Sequence, residues 1–350
     1  MGFAHKQQGT TLSLATSRSG FSVRMADVGR LAGVSAMTVS RALRDPQSVA
    51  TATLRRIEQS IKTTGYLPNR IAGSLSSRRS NVIGLVVPSL RNSLFAETIQ
   101  GVADALGSAY DLMVADSGYA LKGEEAAILA FLRQRVCGIV LHNTKHTPTA
   151  RRQLADAEIP CVETGNLIRE PIDMAVGFSN FSAGFAMSEY LIRRGYRRIA
   201  FVSLPTADND RAAQRRAGFL AALERQQMKA DSRIILETGS GLRGGAEALV
   251  RIMKSGRRCD AVFLTGDVLA TGAVLEANRR GWKIPERIAI AGSDDNELQE
   301  SVRPSITSIR FPRYEIGRRA GAMLVERVQG RPVGRAIIDL GFEIMERESA

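Results

Sequence analysis

The sequence has few cysteines, few histidines and no long apolar run. Cys137, Cys161 and Cys259 are odd in number, far apart and set beside strand-like apolar stretches. They supply neither a disulfide framework nor metal-ligand spacing, and buried free thiols in a reducing compartment are expected. His5, His142 and His146 have no metal-ligating partners at chelating spacing, so no metal site and no cofactor is expected. The Gly-x-Ser-x-Gly nucleophile elbow is also missing, which removes one familiar hydrolase layout. No run of about 18 apolar residues occurs, so nothing is expected to span a membrane. Residues 1–23, rich in Gly, Ser, Thr, Gln, Lys and Arg, lack the apolar segment of an export signal. They read as a disordered basic extension of a cytoplasmic protein.

What is present is positive charge, unevenly spread. The chain of 350 residues carries a formal charge of +13, and residues 1–80 hold twelve Lys or Arg against Asp27, Asp45 and Glu58. A basic head on a nearly balanced body is the footprint expected where one end meets polyphosphate. A membrane surface would attract the same charge, but no basic amphipathic helix with a broad apolar face accompanies it.

Within that head, Met25 to Leu43 reads as two short helices around a corner. Val28, Leu31 and Ala32 recur at helical spacing, Gly33 and Val34 turn the chain, and Ser35 is placed to cap a second helix with Val39 and Leu43 on its buried side. The second helix would expose Ala36, Met37, Thr38, Ser40 and Arg41, small or polar enough to enter a major groove. A third helix spans Thr51 to Thr64, with Leu54, Ile57 and Ile61 on one face. Ala50 offers it no side-chain cap, so Thr51 or Thr53 is expected to serve, and Gly29 should weaken the first helix by about 1 kcal/mol. The segment Arg70 to Arg79 is short, and Gly73 and its serines make it a poor autonomous helix that should order only on a partner.

From Asn81 the texture changes to apolar strands alternating with helices of about 10–15 residues, the pattern of parallel sheets covered on both faces. Strands are expected at Val82–Val87, Asp111–Ala115, Gly138–Leu141, Pro160–Glu163, Ile199–Ser203, Ile234–Glu237, Ala261–Leu264 and Ala289–Ala291. Two such blocks imply two similar subdomains, about 81–176 with 310–332 and about 177–309 with 333–350, joined at Gly177–Asn180 and Thr307–Arg310. The fold class is therefore α/β: a helix-turn-helix head over 24–69, a hinge over 70–80, and two doubly wound parallel-sheet subdomains with a ligand cleft beyond the strand C-termini. One rival stands beside this. Gly239-Ser-Gly-Leu-Arg-Gly244 matches the dinucleotide pattern and has Asp260 some twenty residues on. It would suit an NAD-dependent enzyme, but the long turn from Thr238 to Gly245 reads better as a surface loop, with no catalytic acid or base beside it. A sugar-binding receptor would share the two-lobed body but would have no use for the basic head.

The chain from Arg24 onward resembles the LacI family of bacterial repressors. The resemblance rests on Asp27-Val28, Ala32-Gly33-Val34-Ser35, Thr38-Val39-Ser40-Arg41, Gly65-Tyr66-Leu67-Pro68-Asn69, Ile83-Gly84-Leu85, Pro304 and Ile309. It implies a homodimer that binds a two-fold double-stranded operator and responds to a small effector. Carried over by position, it makes Ala36, Met37 and Arg41 base readers, Ser35, Thr38, Ser40 and Asn69 backbone anchors, and Leu75 an apolar wedge between base steps. Pro88-Ser-Leu, Phe95-Ala-Glu97, His146-Thr-Pro148, Ala175-Val-Gly-Phe-Ser-Asn180 and Asp339-Leu-Gly-Phe342 are similar to the gluconate-repressor branch. The cleft positions implied are Phe95, His146, Asn166, Arg211, Arg215, Asp294 and Arg313. Several arginines in one cleft suit a carboxylate or phosphate, so a sugar acid such as gluconate, or a phosphorylated sugar acid, is expected over a neutral sugar. Gly266-Asp267 stands where many relatives carry Asn-Asp, which removes one hydroxyl contact.

Overall fold

The computed structural model describes residues 23–66 and 80–350, apart from residue 267 and the Arg44 side chain. Asn69, Leu75 and the hinge expected over 70–80 lie outside the described residues, apart from residue 80 itself. The chain divides into two compact units, residues 1–78 and 79–350.

The first unit is built from α1 (Met25–Ala32), α2 (Ala36–Arg44) and α3 (Thr51–Thr64). Gly33 and Gly65 end α1 and α3 with φ of 67° and 65°, a region that glycine enters without Cβ strain. Its core is Val28, Ala32, Val39, Ala42, Ile57 and Tyr66. Leu43, expected on the buried side of α2, is 38% exposed because Ala42 holds the buried position beside it, and Leu31 is 55% exposed beside buried Ala32. Gly29 is a packing requirement: a Cβ there would lie 2.8 Å from the Val34 carbonyl oxygen, so the bare backbone lets α1 meet the turn. Ala50 starts α3 with no side-chain cap, and neither threonine replaces it.

The second unit carries two six-stranded sheets. Its elements in chain order are β1 (Val82–Val87), α4 (Leu94–Leu106), β2 (Asp111–Asp116), α5 (Leu121–Arg133), β3 (Gly138–Leu141), α6 (Pro148–Ala157), β4 (Cys161–Glu163) and β5 (Met174–Gly177). There follow α7 (Asn180–Arg193), β6 (Ile199–Ser203), α8 (Asp210–Arg225), β7 (Ile235–Glu237), α9 (Gly241–Lys254), β8 (Ala261–Thr265), α10 (Leu269–Arg279) and β9 (Ala289–Ser293). The remainder is α11 (Glu297–Ser301), β10 (Thr307–Arg310), α12 (Arg313–Val328), β11 (Ile337–Asp339) and β12 (Glu343–Met345). The first sheet runs β11-β5-β4-β3-β1-β2, with each pairing parallel. The second runs β12-β10-β9-β8-β6-β7, parallel except for the antiparallel edge pair of β10 and β12. The fully buried side chains of β1, β3, β6 and β8 explain their unbroken apolar runs, since a parallel strand is covered on both faces.

The chain crosses between subdomains three times. Residues 337–339 pair with the first sheet, and the third crossing, between β11 and β12, then carries the chain into the second, so the tail 333–350 is shared rather than belonging to the second subdomain alone. At the other two crossings Phe178 and Phe311 stack, ring centroids 4.0 Å apart. Helix α12 packs on α4, where Cβ atoms at Gly101 and Gly317 would lie 2.1 Å from the Tyr314 and Thr98 carbonyl oxygens. Cys137 and Cys161 are buried, and Cys259 is half-buried. Among the described residues no helix is long and apolar enough to cross a membrane, and no group of residues could hold a metal.

Of the three glycines in the dinucleotide-like pattern, Gly244 has a packing role. Helix α9 begins at Gly241, five residues before the expected start, so the long surface loop is largely helix. Cβ atoms at Gly244 and Gly245 would lie 1.9 Å from the Gly239 and Leu269 carbonyl oxygens, and one at Gly272 would lie 2.0 Å from that of Leu242. Gly245 and Gly272 bring α9 and α10 into backbone contact.

Candidate functional site

In the first unit, Ser35 caps α2 by accepting the Thr38 backbone N–H at 3.1 Å, and its hydroxyl lies 2.9 Å from that of Thr38. This sets the rotation of the helix. Val39 and Ala42 face the core while Ala36, Met37, Ser40 and Arg41 fall on the opposite arc. Met37 is 74% exposed. Ser35, Ala36 and Arg41 are exposed, while Thr38 and Ser40 are half-buried. The six expected groups therefore sit on or at the start of one helix, four of them on its free face.

In the second unit, a cleft lies between the two sheets. It encloses about 60 Å³ of free space within an envelope of about 580 Å³ that includes its open mouth. The groups that build it follow the ends of strands: Asn92 after β1, His142 after β3, Gly165 after β4, Phe178 after β5, Leu204 after β6, Gly266 after β8, Asp294 after β9, and Phe311 and Arg313 after β10. This is the switch-point position of open α/β sheets.

Of the seven expected cleft residues, five line it: Phe95, Arg211, Arg215, Asp294 and Arg313. Phe95 meets the His142 ring edge-on at 4.8 Å. Arg313 grips Asp294 twice, through its carboxylate at 2.8 Å and its carbonyl at 2.6 Å. Asp294 is held in the left-handed region, φ 85°, an uncommon state for a side chain with a Cβ and one that marks functional positions. Arg211 donates to the Asn143 side-chain oxygen at 2.5 Å, to the His142 carbonyl at 3.0 Å and to Asp210 at 3.2 Å. Arg215 is different. It donates to the neutral Asn180 at 2.8 Å, its Nε is buried with no hydrogen-bond partner, and no described carboxylate pairs with it within 4 Å. Burial lowers its pKa; Asp294 opposes that, while Arg211 and Arg313 reinforce it. Among the described residues, Arg211 and Arg313 pair with Asp210 and Asp294, and Arg215 pairs with no carboxylate.

The two remaining residues stand behind the cleft wall. Asn166 accepts from Asn180 at 3.1 Å and thereby orients the group that holds Arg215. His146 does not reach the cleft. Its side chain is fully buried between Glu124 at 2.5 Å and Glu163 at 3.0 Å. Burial alone would lower its pKa, but hydrogen bonds to the two carboxylates and their charge outweigh it and raise it to about 9. The histidine at the cleft is His142, whose pKa is pushed well below its ordinary value by burial and then by Arg211, Arg313 and Arg215, so it is neutral. His142, Asn92, Tyr119, Asn209 and the stacked phenylalanines were not legible as cleft groups. Their position just past a strand end was the available signal for His142 and Phe178.

The comparisons agree with both units. Residues 24–69 match the bacterial regulatory proteins of the lacI family, and residues 188–350 match the periplasmic binding protein-like domain. The HTH-type transcriptional regulator GntR of Pseudomonas aeruginosa is 36% identical over 325 residues, covering 92% of this chain and 94% of that protein. GntR of Escherichia coli is 34% identical over 321 residues, covering 91% and 96%. The crystal structure of a LacI-family transcriptional regulator from Silicibacter pomeroyi superposes with a TM-score of 0.87 at 31% identity, covering 93% of this chain and 99% of that one. With a capped recognition-type helix in one unit, a two-lobed cleft in the other and regulators matched along nearly the whole length, the chain belongs to the LacI family of bacterial regulatory proteins.

Proposed function

We propose that this transcriptional regulator binds a palindromic operator as a homodimer in the cytoplasm and that its cleft takes a small hydroxylated anion, a sugar acid such as gluconate or its phosphorylated form. The ligand shifts the arrangement of the two lobes and so changes operator affinity. Arg215 carries the reading of the ligand. A buried guanidinium with an idle N–H and no described carboxylate within 4 Å is stabilised by an anionic guest, and the paired Arg313 and Asp294 are placed to orient hydroxyls. The GntR name shared by two relatives supports the same chemistry.

On the DNA side, Ala36, Met37 and Arg41 are the base readers, with Ser35, Thr38 and Ser40 on the backbone; Asn69 and Leu75 complete the set on the strength of the resemblance. With a single arginine among the readers, much of the specificity should come from DNA deformability. The test is a gel shift on the DNA upstream of the protein's own gene, at low salt, with and without gluconate. A shifted band that weakens steeply with salt and changes with gluconate is expected. Absence of any shift at low salt would refute the operator reading, and an unchanged shift under saturating gluconate would refute the ligand.

A further inference from the structure

The buried group around His146 lies outside the cleft, yet it connects to it. Loop residues 142–147, between β3 and α6, carry His142, Asn143, Thr144, Lys145, His146 and Thr147. Their outer members reach into the other subdomain at the start of α8: Thr144 donates to Asp210 at 2.5 Å, Lys145 to the Ala207 carbonyl at 2.6 Å, and Asn143 accepts from Arg211. The inner end of the loop is anchored by His146 between Glu124, in the first turn of α5, and Glu163, at the end of β4. Glu163 also accepts the Ile172 backbone N–H at 2.5 Å, so the anchor ties β4 to the segment leading into β5.

The direction of each hydrogen bond follows from the one before it. A ring that faces a carboxylate on both sides must donate from both nitrogens, so it is the imidazolium. That uses the near oxygen of Glu124 and leaves its far oxygen to accept the Asn143 amide N–H at 2.7 Å. With its nitrogen committed to Glu124, the Asn143 amide turns its oxygen outward, where Arg211 donates to it at 2.5 Å. The amide orientation, ambiguous by shape alone, is set by the chain of donors. One imidazolium against two carboxylates also leaves a negative balance two hydrogen bonds from the Arg211 guanidinium, across the subdomain boundary.

We infer that His146 is a positioning residue: clamped by Glu124 and Glu163, it fixes Asn143 so that Arg211 is latched across the cleft, coupling the core of the first subdomain to the wall that receives the ligand. This rests on the reading of the cleft as the effector site. It gives the His146 position a role without contact to the ligand.

The experiment is hydrogen–deuterium exchange of the full chain, comparing His146→Gln, Asn143→Ala and the double variant. Amides 212–217 of α8, in the other subdomain, are expected to exchange roughly tenfold faster in each single variant, with no further gain in the double variant, because both break one path. A rise confined to residues 124–163, or effects that add, would overturn the inference. Should His146→Gln fail to fold, Asn143→Ala decides it with the anchor intact. The His146 ring resonances, one set among three histidines, must then move together with the faster exchange at 212–217; unmoved resonances overturn it. Gluconate titration of the unaltered chain runs in parallel. No binding there refutes the ligand, while the exchange pattern alone decides the latch.

Discussion

The two walls of the cleft are made by different means. The wall from the second subdomain and the return into α12 carries its chemistry on charged side chains: Arg211 and Arg215 on one face of α8, and Asp294 gripped by Arg313. The wall from the first subdomain carries it on neutral groups: Asn92 donating to the Tyr119 hydroxyl at 3.2 Å, the uncharged His142, and Phe95 against that ring. Its charges are buried one layer deeper, in Glu124, His146 and Glu163. The first arrangement leaves a charge for a ligand to satisfy, and the second satisfies its charges internally and offers shape. A guest bridging both walls would be oriented by the second subdomain and fitted by the first.

The largest effect is expected where the difference is sharpest. Arg215→Met removes the buried cation without leaving any described carboxylate unpaired, so gluconate affinity should fall roughly a hundred- to a thousandfold, about 3–4 kcal/mol, while thermal stability holds or rises. Calorimetric titration alongside a melting curve checks it, and a coincident loss of both would erase the distinction between the walls. The buried anchor of the first wall should reveal itself through pH. The folded pKa of His146 is raised from 6.5 to about 9. Its contribution is therefore complete below pH 6.5 and lost as pH rises through about 9. Unfolding free energy relative to His146→Gln should decline by about 3 kcal/mol across that interval. The neighbouring Cys161 thiol does not compete, since burial and then the charges of Glu163, Asp173 and Glu124 push its pKa well above 9.0. Urea titrations at stepped pH measure the decline, and a flat difference between the two proteins would show that the ring is neutral. The smallest effect concerns backbone rather than charge. A Cβ at Gly184 would lie 2.3 Å from the Arg215 carbonyl oxygen. Gly184→Ala should destabilise the second subdomain by about 2 kcal/mol and weaken gluconate binding by moving α8, with the first wall untouched. A melting curve unchanged by the substitution would mean that α7 and α8 separate at little cost.

Much of the architecture was legible in the sequence. The Thr51–Thr64 helix and the strands Val82–Val87, Gly138–Leu141 and Ile199–Ser203 have the boundaries that periodicity placed there. The start of α9 was not legible, because its glycines look like loop until α10 is seen against them. The short edge strands β11 and β12 were also missed, since three residues carry too little pattern to separate an edge strand from a turn. In the first unit Leu43 was placed on the buried side of α2 by hydrophobicity alone, and helix rotation decided for Ala42 instead.

By itself the sequence determined the order of elements, the basic head, the capped helix with Ala36, Met37 and Arg41, and the arginines of α8. These depend on periodicity, capping and residue type, which act over a few neighbouring positions. Only the tertiary structure decided that Arg215 donates to the neutral Asn180, that Asn166 works through Asn180, and that His146 lies buried between Glu124 and Glu163 rather than at the cleft. Those are relations between side chains 14 to 35 positions apart. Charge and burial are set by what surrounds a group in space, and nothing in a residue's own neighbourhood along the chain states which partners will arrive.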